Sequence, residues 1–397
     1  MDAMRPIVAQ VTGSNPRPST FARTLAVDPS LSARILRALR SDDVADVIHE
    51  IPSPEGLRII LAAATRHGIE PNARDIAARA IRDFEILLDE LPGGRATLDS
   101  IAAEWSPATR ERAEHSARQG IYKSMSNLLG FFAETSMQTV IVQPSESTGF
   151  CDAVYVLGKY GLRRMRDGGR ITVYGRQGGL NPSDGETEDL TKPSSRSLTL
   201  SGSWSEDPRE YLLSEFCSRP VPELQVARQG NVDLCLLPER VPEVNQPTSI
   251  VSAQLLRRSG FRPLSAAQEP YWEAHLPRVP SKFLLFDILV REDTFGGTPS
   301  LTSTLHGLAT TNVLPDSPTF PLDEVAMSTP MQHLALGLPG LEVTELPQYS
   351  RLVDGVFGRV GWDRSRFIGY RCRVRYPVPM VKITYWFRGT DKQGAAP

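Results

Sequence analysis

The chain has little of what metal, disulfide or membrane chemistry requires. Its four cysteines, Cys151, Cys217, Cys235 and Cys372, lie far apart with no C-x-x-C spacing. That excludes a zinc finger and a disulfide framework, and leaves reduced thiols in a cytoplasmic protein as the expectation. The six histidines, His49, His67, His115, His275, His306 and His333, are scattered with no pair at helical metal-ligand spacing, so each is expected at the surface or core edge. No apolar run is long enough to span a bilayer. The best candidate, Phe283–Val290, is short and interrupted by Asp287, which favours a buried strand. The first twenty residues lack the basic start and apolar core of a secretion signal. Gly158-Lys159 is followed by Tyr160, with Ala153 where a phosphate loop has its earlier glycine. Gly168-Gly169 and Gly178-Gly179 do not complete a dinucleotide fingerprint, and no serine sits in a G-x-S-x-G elbow. The expectation is a non-enzyme without cofactor or metal.

What remains is an ordinary globular composition: 397 residues, 40% hydrophobic, 23% charged, and a net charge of -2. This length accommodates two or three domains. The pattern predicts an α+β protein, with an all-helical N-terminal region followed by a mixed α/β C-terminal region. Residues 1–18 read as a flexible arm, 19–134 as a helical domain and 135–397 as the α/β domain, with a loop at 177–196. Helices are expected after Ser41, from Ser53-Pro54, from Pro71 and from Ser106-Pro107. The Pro71 helix carries a stripe of Ile76, Ala80, Phe84, Leu87, Leu88 and Leu91. In the last of these helices, Ile121, Met125, Leu128 and Leu129 offer a packing face. After Glu134 the period switches to two, predicting strands at 136–142, 151–157, 170–174, 197–203, 224–227 and 233–237. Residues 207–217, 248–258 and 345–360 read as helical. The runs 366–376 and 381–388 read as a terminal hairpin near a sheet edge.

The most informative stretch is Phe21 to Arg40. Ala22 and Ala26 share one face of a first helix, and Val27 would tuck under a turn. Asp28-Pro29 reads as a helix start, with Asp accepting from exposed amides and Pro at the first helical position. Leu31, Ile35 and Leu39 form the stripe of a second helix. From Pro16 to Arg40 there are five arginines and one aspartate, a local net charge of +4. On these residues the chain resembles bacterial helix-turn-helix regulators of the repressor/Cro-like group. Ala22, Val27 and Ile35 match that pattern. Ala26 stands where the group usually has glycine, and Ser32 where it has an apolar residue. The resemblance implies a sequence-specific transcriptional regulator that places its second helix in the DNA major groove. It makes Arg23, Pro29, Ser30, Ala33, Arg34, Arg37 and Arg40 the candidate DNA contacts. The implied partners are double-stranded DNA, a second copy in a homodimer or higher homo-oligomer, and a small-molecule effector sensed by the C-terminal region, with no membrane. Two alternatives stay open: an assembly or scaffold protein whose N-terminal helices mediate protein contacts, and an α/β enzyme without a recognisable motif.

A second basic feature is Tyr370–Tyr376, where Arg371, Arg373 and Arg375 alternate with Cys372 and Val374. In a strand this puts three charges on one face. From Arg359 to Arg388 there are eight basic residues and one acid. Such a row calls for acidic partners, an anionic ligand or a nucleic-acid backbone. Lys159–Arg166 is a second basic cluster that would join the same surface.

Overall fold

The computed structural model describes residues 1–13, 16–105, 107–168, 170–177, 191–194, 196–230, 232–238, 246–265, 267–305, 325 and 330–389. His306 and most of the 177–196 loop lie outside them. The chain divides into two compact units, Met1–Ala117 and Arg118–Pro397. The division falls earlier than residue 134, inside a helix that continues to Leu129.

The first unit is helical. Its described helices are α1 (Arg5–Thr12), α2 (Pro18–Leu25), α3 (Pro29–Arg40), α4 (Val44–Glu50), α5 (Pro54–Arg66), α6 (Pro71–Glu90), α7 (Arg95–Trp105) and the start of α8 (Pro107–Leu129). Proline at the first turn of α2, α3, α5 and α6 costs no hydrogen bond and presets the helical φ. Two expectations are corrected here. The first residues are no arm: Met4, Ile7 and Val8 are spaced for one helical face, and all three are buried in the unit's core. In α6 the buried side is Ala73, Ala77 and Ile81, while Ile76 and Leu87 are exposed. The packed face is thus Ala73, Ala77 and Ile81, and of the expected stripe Phe84 packs on the same core while Leu88 and Leu91 are half-buried. In α8, likewise, Tyr122 and Ser126 are buried, but Ile121 and Leu128 are exposed.

The second unit is dominated by sheet, with a single α-helix, α9 (Tyr349–Val360), after its α8 segment among the described residues. A six-stranded sheet runs β10 (Gln332–Leu334), β11 (Phe367–Arg375), β8 (Ser281–Arg291), β1 (Phe131–Pro144), β2 (Phe150–Arg164), β6 (Thr248–Phe261). Only β1 and β8 pair in parallel. One face packs on α9 through Met137, Leu285, Leu289, Leu352 and Val356. The other meets a three-stranded sheet of β7 (Tyr271–His275), β12 (Val381–Phe387) and β9 (Ser300–Leu305) through Val140, Phe286, Tyr385 and Phe387. A second three-stranded sheet, β3 (Ile171–Gln177), β5 (Val232–Leu237) and β4 (Gln225–Gln229), packs on β2 and β6 through Val173, Cys235, Leu162 and Ile250.

Several strand expectations change. Residues 248–258 are strand, not helix: both faces of β6 are covered, so no period-two signal survives. Residues 207–217 form two 3-10 turns, and 197–203 contributes one bridge, Leu198 to Leu255. The two last strands are not a hairpin. β11 lies inside the large sheet between β8 and β10, whereas β12 is central in the sheet below it. All four cysteines are free thiols. Burial pushes Cys151 and Cys372 up to about 12. Among the described residues no helix is long and apolar enough to cross a membrane.

Candidate nucleic-acid interface

The corner between α2 and α3 is built locally. Ala26 takes a left-handed conformation, φ 50 and ψ 46, and its amide returns to the carbonyls of Ala22 and Arg23. Val27 then donates to Ala22 O at 3.1 Å, which closes the turn. Asp28 caps α3: Oδ1 accepts from the Ser30 amide at 2.7 Å and also from the Ser30 hydroxyl. Those bonds, the hydroxyl's first, hold the Asp28 carboxyl below its ordinary value. The small residues sit where packing is tight. Ala22 is buried, and a Cβ on Gly56 of α5 would come within 2.9 Å of Leu31 Cδ1. Ser32, the other departure from the apolar pattern, is fully buried, its hydroxyl satisfied by Asp28 O at 3.1 Å.

The expected stripe of α3 is only part of its buried surface. Ile35 and Leu39 are buried and Leu31 half-buried, but Ser32, Leu36 and Ala38 are buried as well. The helix therefore turns a narrow side outward. Pro29 and Ser30 at its start are exposed, as are Arg23 on α2 and Arg37 and Arg40 on α3, while Ala33 is half-buried.

Arg34 is the correction. Its Nη2 donates to His49 O at 3.1 Å and Ile51 O at 3.2 Å, the orphan carbonyls at the end of α4. Arg95, at the start of α7, binds the same end through Ile48, His49 and Ile51 carbonyls, and pairs with Asp99 at 3.0 Å. Burial, then the neighbouring Arg95 charge, pull the Arg34 guanidinium below its ordinary value. Two guanidiniums on one helix C-terminus meet both its carbonyls and its dipole. Arg34 thus ties α3 to α4 and is only half-exposed. Arg37 keeps a looser tie: it pairs with Glu50 at 2.9 Å while 54% of its side chain stays exposed. Arg40 donates to Pro16 O from the rim of the helix. Arg34, Arg37, Arg95, His49, Glu50 and Asp99 together line a cavity of about 450 Å³ beside α3.

The arginines of β11 do share one face, but acids meet them there. Arg371 is 1% exposed and lies opposite Asp287 in the β11–β8 register. It donates to Asp287 Oδ2 at 2.8 Å and to Leu341 O at 3.0 Å. Tyr349 donates to the same carboxylate at 2.7 Å and shares a 2.8 Å bond with Thr139. Burial raises the Asp287 carboxyl, and Arg371 opposes the rise. Arg373 and Arg375 both pair with Glu345, at 2.8 and 3.3 Å. Arg371 is therefore neutralised in full burial, while the more exposed Arg373 and Arg375 share one carboxylate. Of the basic residues in 159–166, Lys159 is buried, its ammonium lowered to about 8 by desolvation, and buried Arg164 donates to Pro238 O, while Arg166 is exposed.

Sequence reasoning missed Arg95, whose position after Pro92-Gly93-Gly94 marks a helix start without revealing which helix end it would reach. It also missed a buried carboxyl–phenol group: Glu273 Oε1 accepts from Tyr155 at 2.7 Å and from Tyr271. No protein-family model matches the chain, and no curated protein does either.

Proposed function

We propose that this protein is a sequence-specific DNA-binding regulator whose N-terminal unit reads duplex DNA with the α2–α3 corner. The observation that carries the proposal is the exposed start of α3, Pro29 and Ser30, standing on a helix anchored by Ile35 and Leu36 and flanked by exposed Arg23, Arg37 and Arg40. Helices of this kind meet base edges with their first residues, and surrounding arginines take phosphates. Arg34 has a different part, as the residue that sets the angle of α3 through α4. One such helix reads few base pairs, so a two-fold assembly is expected.

The test is fluorescence anisotropy of labelled duplex DNA with the whole chain at rising salt. Binding should weaken steeply between about 50 and 200 mM salt. Replacing Arg37 or Arg23 by Ala should lower affinity and reduce the log–log salt slope by about 0.9 for each phosphate no longer neutralised. Salt-insensitive or absent binding, or unchanged affinity in both variants, rejects the proposal.

The assembly reading is favoured by one observation, the exposed Ile76 and Leu87 that lie on the same side of α6. If these residues bring two copies together, Ile76→Glu with Leu87→Glu should convert the assembly to monomer in sedimentation velocity. An unchanged mass would reject it.

A further inference from the structure

The cavity of about 450 Å³ beside α3 lies wholly within the first unit, and its lining is charged. Arg34, Arg37 and Arg95 bring three guanidiniums to it, against the two carboxylates of Glu50 and Asp99. Asp99 pairs with Arg95 at 3.0 Å and Glu50 with Arg37 at 2.9 Å. Arg34 makes no ion pair among the described residues, and its bonds go to neutral carbonyls. One of these, His49 O, accepts from Arg34 and from Arg95, each at 3.1 Å, so two like charges converge on one oxygen. The lining therefore carries one positive charge more than its own carboxylates balance.

The donors are spent unevenly. Arg34 commits only its Nη2; Nε and Nη1 have no partner among the described residues, and neither is sealed from solvent. Arg37, three residues on and so on the same side of α3, turns Nη2 to Glu50 and leaves its other nitrogens unused among the described residues. Ser53 Oγ accepts from the Gly56 amide at 3.2 Å, and its hydroxyl proton has no acceptor among the described residues. Accessible guanidinium donors beside unbalanced positive charge are what an oxyanion takes up.

We propose that this cavity binds a phosphate group, as inorganic phosphate or a small phosphate ester. The phosphate bridges Arg34 and Arg37, the Ser53 hydroxyl adds a neutral donor, and Arg95 adds charge from α7. A tetrahedral oxyanion accepts from several directions, which suits donors carried by separate elements, whereas a carboxylate accepts in one plane. Duplex DNA carries the same group, but Glu50 and Asp99 in the lining repel a polyanion and Arg34 is half-buried, so a small ion is the better fit. The site stands whether or not the chain binds DNA.

NMR of the arginine Nε–H signals in the whole chain, at constant ionic strength, tests the site. Inorganic phosphate at millimolar concentration should move the Arg34 and Arg37 signals along one saturating curve, and chloride should not. Arg37→Ala, at an exposed position, should weaken phosphate by about fivefold, the loss expected for one solvent-screened charged bond. Glu50→Gln removes a competing carboxylate and should tighten phosphate by about threefold, a gain that a purely structural role for these arginines would not give. Circular dichroism checks that both variants are folded. Shifts that do not saturate, or an unchanged affinity in either folded variant, would overturn the site. A duplex that moves the Arg34 signal where free phosphate does not would assign these donors to a nucleic-acid backbone and overturn the small-ion reading.

Discussion

Ala26 holds a backbone conformation that costs an L-residue with a Cβ roughly 1 kcal/mol or more. The helix-turn-helix resemblance points to the same residue, because the position is usually glycine. The physical reason is a left-handed turn that must end α2 and aim the chain at Asp28. Ala26→Gly should therefore stabilise the first unit by about 1 kcal/mol, less the greater freedom glycine has when unfolded. Urea unfolding followed by circular dichroism measures it, and a loss of stability would mean that the turn is not strained. Glu273 makes the opposite kind of residue-scale case. Its burial beside Tyr155, Tyr271 and Cys151 raises the carboxyl to about 7 from an ordinary 4.5. Between those values the folded chain keeps a proton that the unfolded chain has released. Stability from this group is thus complete below about 4.5 and falls as pH rises through about 7. Glu273→Gln should gain stability relative to the parent between pH 5 and pH 8, read from urea midpoints at the two values. An unchanged difference would show that the carboxyl does not titrate in that window.

Local chemistry explains why some elements could be read from the sequence and others could not. The α2–α3 corner was legible because its instructions lie within a few residues: Asp28 as cap, Pro29 at the first turn, Ile35 and Leu39 at helical spacing. β6 was not, since Ile250, Val251, Ala253 and Leu255 are buried on both faces and mimic a buried helix. β11 was half legible. Alternation placed its arginines on one face, but the register that sets Arg371 against Asp287 joins residues 84 apart. Arg34 failed for the same reason, as its partners come from a helix end that only the fold brings near. At this scale Arg34 and Arg37 separate tethering from the proposed recognition. Arg34→Ala should cost on the order of 1 kcal/mol by removing two hydrogen bonds at the end of α4, where Arg95 still holds the same carbonyls. Arg37→Ala should leave stability within about 0.5 kcal/mol, since its ion pair is half-exposed, while lowering DNA affinity. Denaturation and anisotropy on the same two samples decide it. Reversed effects would return Arg34 to the groove.

Each compact unit carries its own apolar core. One is built on Ile7, Phe21, Ile35 and Ile60; the other spans both faces of a large sheet. In the larger unit the sheet is locked by a dry ion pair. Removing one partner strands a charge among Tyr349, Thr139 and the apolar residues of α9, at a cost of about 3–5 kcal/mol. Arg371→Met should lower the unfolding midpoint accordingly. Replacing Asp287 by Leu in the same chain should recover most of the loss, because the charge and its partner leave together. Separate cores also predict separate melting. In calorimetry, Arg371→Met should move one transition and Ala26→Gly the other, in opposite directions and additively. If both substitutions shift a single shared transition, the two cores form one cooperative body, and a change in the sheet would have a direct energetic route to the helix proposed to meet DNA.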